Sequence, residues 1–124
     1  MKRLPDAELD VMMAIWKTGD KCTRMELEEN LDTEKEWSAT TILSMLSRLE
    51  KKGFVQVTKD GKQNVYAPLV SQEEYLQAES KTVLEKMYNN SITNFMSALY
   101  SGKKPSKKQI DELQDLLDGF KEEK

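Results

Sequence analysis

The chain has 124 residues, a formal net charge of -3, and 38% hydrophobic, 33% charged and 7% aromatic residues. That size and balance fit one compact domain carrying an assembly element, and exclude a large multidomain enzyme and a wholly disordered chain. Histidine is absent and Cys22 is the one cysteine, which removes histidine acid/base chemistry, Ser/His/Asp triads, Cys/His zinc sites and an internal disulfide.

The opening Met1-Lys2-Arg3-Leu4-Pro5-Asp6 has no apolar segment behind its charges, and no run approaches the ~20 apolar residues of a bilayer span. A cytoplasmic, non-enzymatic protein is expected, without membrane insertion, cofactor or metal. The negative total hides a local reversal. From Arg48 to Lys62, the basic residues Arg48, Lys51, Lys52, Lys59 and Lys62 stand against Glu50 and Asp60 alone.

Leu9, Met12, Met13 and Trp16 recur at helical period after Pro5 and before Gly19, predicting a first helix over 6–17. Thr23-Arg24-Met25-Glu26 has the form of a capping box and opens a short second helix with Leu27 and Leu31. After the polar stretch 32–36 and Trp37, Ser38 is an N-cap for a third helix reaching about Lys52, with Ile42, Met45, Leu46 and Leu49 inward. Gly53 ends it. Residues 54–59 then alternate like a strand, Asp60-Gly61 reads as a tight turn, and 64–69 run back. Three helices followed by a hairpin is the winged-helix order, over residues 1–70.

Ser71-Gln72-Glu73-Glu74 is a second capping box, starting a helix with Leu76, Val83, Leu84, Met87 and Tyr88 that stops near Asn89-Asn90. Ser91 caps the next, striped by Ile92, Phe95, Met96, Leu99 and Tyr100. Ser106-Lys107-Lys108-Gln109 caps the last, with Ile110, Leu113, Leu116, Leu117 and Phe120 along one side. Three such helices are too few to enclose a core of their own, so residues 71–124 are expected to form a dimerisation region in a homodimer. The expected fold is mainly α, a winged helix-turn-helix with a small β-hairpin wing followed by this three-helix region.

In a helix-turn-helix the third helix faces the major groove. Its outer face reads Thr40, Thr41, Ser44, Ser47, Arg48 and Lys51, with Ser38 at its start. Hydroxyls bond to bases or phosphates, Arg48 matches guanine or phosphate bidentately, and Lys59 and Lys62 flanking the hairpin tip would meet phosphates. Double-stranded DNA is therefore the expected partner. The Met and Trp residues at helical spacing read as core, the acids Glu26, Glu28, Glu29, Asp32, Glu34 and Glu36 as a solvated surface, and Cys22 as a small buried side chain.

The run Leu4 to Trp16, Trp37-Ser38 with Thr41, Ile42, Leu46, Arg48 and Leu49, and Lys51-Lys52-Gly53-Phe54 resembles the penicillinase/methicillin repressor family (BlaI/MecI type). Ser91-Ile92-Thr93-Asn94-Phe95 and 106–117 look like that family's dimerisation region. The resemblance implies a winged-helix homodimer on a pseudo-palindromic operator, often of antibiotic-resistance genes. It also implies inactivation by cutting at an Asn-Phe bond under a membrane-bound sensor metallopeptidase, and Asn94-Phe95 matches that bond. Thr40 and Leu43 stand where the resistance repressors tend to place basic residues, so the family's operator sequence does not carry over. Residues 71–124 lack the cysteines of copper-responsive relatives. The competing readings are a small-molecule-responsive winged helix of MarR or PadR type, and a winged helix used for protein contact alone.

Overall fold

The computed structural model describes residues 1–32 and 36–123; Glu34 of the acidic stretch lies outside them. Among the described residues are six helices and one hairpin: α1 (Asp6–Thr18), α2 (Arg24–Glu28), α3 (Ala39–Lys51), β1 (Val55–Asp60), β2 (Gln63–Pro68), α4 (Gln72–Tyr88), α5 (Ile92–Leu99) and α6 (Lys107–Glu122). This is the winged helix-turn-helix followed by three helices. The chain divides into two compact units, Met1–Lys81 and Thr82–Lys124, with the division inside α4.

Local signals position the helix starts. Glu26 N–H donates to Thr23 Oγ1 at 3.2 Å while Glu26 Oε1 accepts from Thr23 N–H at 3.0 Å, a reciprocal cap on α2. Ser71 with Glu74 and Ser106 with Gln109 repeat the arrangement on α4 and α6. Asn89 and Asn90, at φ 48° and 63°, terminate α4 in the left-handed region that asparagine tolerates best among side-chain-bearing residues.

The core of the first unit joins Val11, Met12, Ala14 and Ile15 of α1 to Leu27, to Ile42, Leu46 and Leu49 of α3, and to Phe54, Val55, Tyr66 and Tyr75. This corrects the expected stripe of α1. Met12 is buried, Leu9 and Trp16 are partly buried at the edge of the core, and Met13 is 41% exposed. The true inward row is Glu8, Val11, Met12 and Ile15, and a charged residue in its first slot shifted the apparent apolar face. Trp16 Nε1 donates to Val70 O at 2.9 Å, and Leu4 N–H donates to the Tyr75 hydroxyl at 2.8 Å. Both bonds seat the start of α4 within the same unit.

β1 and β2 pair antiparallel from Val55 with Pro68 to Asp60 with Gln63, so the connecting residues are Gly61 and Lys62. The turn therefore lies one residue beyond the expected Asp60-Gly61. Gly61, at φ 67°, supplies the positive φ that the first loop position of a two-residue hairpin requires. Cys22 and Tyr66 exchange backbone hydrogen bonds of 2.9 and 2.8 Å, adding a one-residue bridge to β2.

In the second unit no described residue is buried. Phe95 sits edge-on to Tyr88 at 5.3 Å between ring centroids. Val83, Met96 and Leu113 are half-buried, whereas Met87, Ile92, Leu99, Ile110, Leu116, Leu117 and Phe120 are 50–66% exposed. Leu76, on the part of α4 in the first unit, is exposed as well.

Candidate nucleic-acid interface

α3 begins at Ser38, whose Oγ accepts from Thr41 N–H at 3.2 Å and lies 3.0 Å from Thr41 Oγ1. With Ile42, Leu46 and Leu49 committed to the core, helical periodicity turns Thr40, Leu43, Ser44, Ser47, Arg48 and Lys51 outward, and all six are exposed. Thr41 is half-buried and its hydroxyl is engaged with Ser38, so these two side chains build the helix start.

The cations differ in what they face. Lys52 Nζ lies 2.5 Å from Glu8 Oε1 and is withdrawn from the surface excess counted in the sequence. Among the described residues, Arg48, Lys51, Lys59 and Lys62 form no ion pair. Arg48 Nη1 lies 4.0 Å from Met45 Sδ, one turn back on its own helix, and the guanidinium is left open to solvent.

Lys62, at the hairpin tip, borders a cleft shared with Arg24 and Met25 of α2, Leu43 of α3, and Gln63, Asn64 and Tyr66 of β2. A neighbouring cleft runs from Leu43 and Ser47 to Asn64 and Val57. The outer face of α3 and the hairpin tip are thus one continuous surface. Lys59 falls elsewhere, in a concavity with Lys21, Thr23, Glu26 and Asp60 beside the start of α2. Met25, Gln63 and Asn64 were not singled out in the sequence; the signal for Met25 was its place in the first turn of the helix preceding α3.

Burial pushes the Cys22 thiol up to about 11, with the negative charge of Glu26 adding to the effect. The side chain is 1% exposed. A neutral, covered thiol is a poor nucleophile. Among the described residues no group of three or more His, Cys, Asp or Glu side chains is arranged to hold a metal ion, and no helix is long and apolar enough to cross a membrane.

In the second unit Asn94 is exposed and Phe95 half-buried, both in the first turn of α5. Asn94 N–H donates to Ser91 Oγ at 3.0 Å, and Phe95 N–H to Ser91 O at 3.1 Å. The bond between the two residues is therefore inside hydrogen-bonded helix.

The model of the penicillinase repressor family matches residues 4–119, across both units. The chain belongs to that family. It is 34% identical over 127 aligned positions to the penicillinase repressor of Bacillus licheniformis, with 100% of this chain and 98% of that protein covered. It is 30% identical over 114 positions to the methicillin resistance regulatory protein MecI of Staphylococcus aureus (strain N315), covering 92% of each. The solved DNA-binding domain of the repressor BlaI superposes with a TM-score of 0.50 at 38% identity, over 60% of this chain and 94% of that one.

Proposed function

We propose that this chain is a cytoplasmic transcriptional repressor that acts as a homodimer on a pseudo-palindromic operator, with residues 1–70 binding DNA and 71–124 dimerising. The observation that carries the reading is the outer face of α3, a row of exposed hydroxyls ending in cations that form no ion pair among the described residues, continuous with the hairpin tip. Thr40, Ser44 and Arg48 read base edges, Ser47 and Lys51 assist, and Ser38 and Thr41 fix the start of the helix against the backbone. Lys62 and Lys59 contact phosphates, giving affinity and salt dependence without sequence information.

Dimerisation answers the incompletely buried apolar faces of α4, α5 and α6. Leu76, Val83 and Met87 of α4, Ile92, Phe95, Met96 and Leu99 of α5, and Ile110, Leu113, Leu116 and Leu117 of α6 would bury against the same residues of a second copy. The relatives' names, a penicillinase repressor and a methicillin resistance regulator, support control of β-lactam-resistance genes. Release would follow cutting at Asn94-Phe95 by a membrane-bound sensor metallopeptidase. A short helix without a buried residue opens locally at low cost, as a peptidase that needs an extended chain requires.

The test is a fluorescence-anisotropy titration of the full chain against duplex from the promoter of its own gene. Arg48→Ala should weaken binding by about 1–3 kcal/mol. Affinity unchanged by that substitution, or equal for operator and unrelated duplex, would remove α3 from its reading role.

A further inference from the structure

Leu43 is 43% exposed on the outer face of α3, between Ser44 and the core residue Ile42, and its polar neighbours on that face are Thr40, Ser44 and Ser47. Met25, 63% exposed on α2, lines the same cleft. A single exposed leucine needs no explanation. Two apolar side chains lining one cleft, on a face otherwise made of hydroxyls, amides and cations, are a different matter. That cleft is also lined by Lys62 at the hairpin tip and by Arg24, which is paired with Glu28; the neighbouring cleft adds Ser47 and Glu50 of α3 and shares Asn64 of β2. Two exposed apolar side chains beside the Lys62 ammonium match a surface with a negative border and an apolar point inside it. The duplex major groove has that composition: phosphates along its edges, and at the base edges one apolar substituent, the C5-methyl of thymine.

We propose that Leu43, flanked by Met25, is a specificity-determining residue that packs on the C5-methyl group of a thymine in the operator half-site. The inference rests on the DNA-reading role of α3 proposed above and names what one position of that face reads. Leu43 lies in the N-terminal half of α3, the part of a recognition helix that reaches base edges. Its side chain offers no hydrogen bond, so it rewards a methyl group. It also penalises cytosine, whose amino group would lose its water without gaining an acceptor.

The experiment selects duplexes with the full chain from a random-sequence library, then replaces each thymine of the recovered half-site in turn by deoxyuridine. That replacement removes the methyl group and keeps every hydrogen-bonding group. One thymine per half-site should show a loss of about fourfold in affinity, the effect of one buried methyl-sized group. Leu43→Ala should bind the unmodified duplex more weakly and be indifferent to uracil at that position. Because Leu43 is exposed, the variant should melt like the wild type, which separates reading from folding. Thymines that all tolerate uracil, or a uracil penalty equal in wild type and Leu43→Ala, would overturn the inference and leave α3 as a reader of DNA. Recovery of no preferred sequence would overturn both.

Discussion

Lys52 Nζ meets Glu8 Oε1 at 2.5 Å, joining the residue that closes α3 to the first turn of α1. The Glu8 side chain is 4% exposed and that of Lys52 26%. The pair therefore holds α3 to the scaffold through a nearly covered carboxylate. Lys52→Met should leave that carboxylate unpaired and destabilise the winged helix by about 3 kcal/mol, the lower end of the range for breaking a covered pair because water reaches the lysine side. The double variant with Glu8→Leu should recover most of the loss, as read by urea denaturation.

The Cys22 thiol carries a pH dependence of known sign. Its folded value is raised from 9.0 to about 11, so the folded state favours the neutral thiol. The contribution is complete below pH 9.0 and is lost as pH climbs toward about 11. Urea melts of wild type and Cys22→Ala across that window should show their difference shrinking as pH rises. At pH 8 the native thiol should react with a disulfide reagent far more slowly than the denatured chain.

Much of the first unit was legible because its signals are local. Ser38, Thr23 and Ser71 cap helices through residues three positions away, and the inward row of α3 is uninterrupted. What escaped depends on distant partners. The apolar stripe of α1 was misplaced because Glu8 occupies a core slot, neutralised by a lysine 44 residues away. Lys52, counted in the sequence among surface cations, turns inward for the same reason. The hairpin turn shifted by one because Asp60 completes a ladder pair with Gln63, which propensity alone does not reveal. Hydroxyls and cations on α3 were readable as a face, but the cleft that Leu43 shares with Met25 and Lys62 exists only once α2 and the hairpin are in place.

Lys59→Ala and Lys62→Ala should weaken DNA binding about equally for every sequence and each reduce the slope of log affinity against log salt by about 1. Anisotropy titrations across a salt series measure this. A change in sequence preference with either variant would mean that the lysine reads bases.

Leu117→Glu places a charge on an α6 face that is 53% exposed at that residue. Analytical ultracentrifugation should then show a single subunit where the wild type sediments as two. Operator affinity should fall by about 100-fold or more, because the paired half-sites no longer act together.

Ser91→Ala removes the hydroxyl that holds the amide of Asn94 and should lower the stability of α5 by about 1 kcal/mol. Under co-expression with a cognate sensor peptidase and inducer, the fragment beginning at Phe95 should appear faster than from the wild type. An unchanged rate would separate cutting from helix opening.

The bridge between Cys22 and Tyr66 has a consequence for solubility. A free two-stranded ribbon offers both of its borders as templates for a foreign strand, the usual start of fibrous clumping. In this chain Cys22 blocks the border of β2 at Tyr66, and on β1 the charges of Lys59 and Asp60 discourage a visiting strand. If Leu116 and Leu117, exposed on the last helix, meet a second copy as proposed, the molecule would stick to its own kind by one route while its hairpin stays unattractive to neighbours.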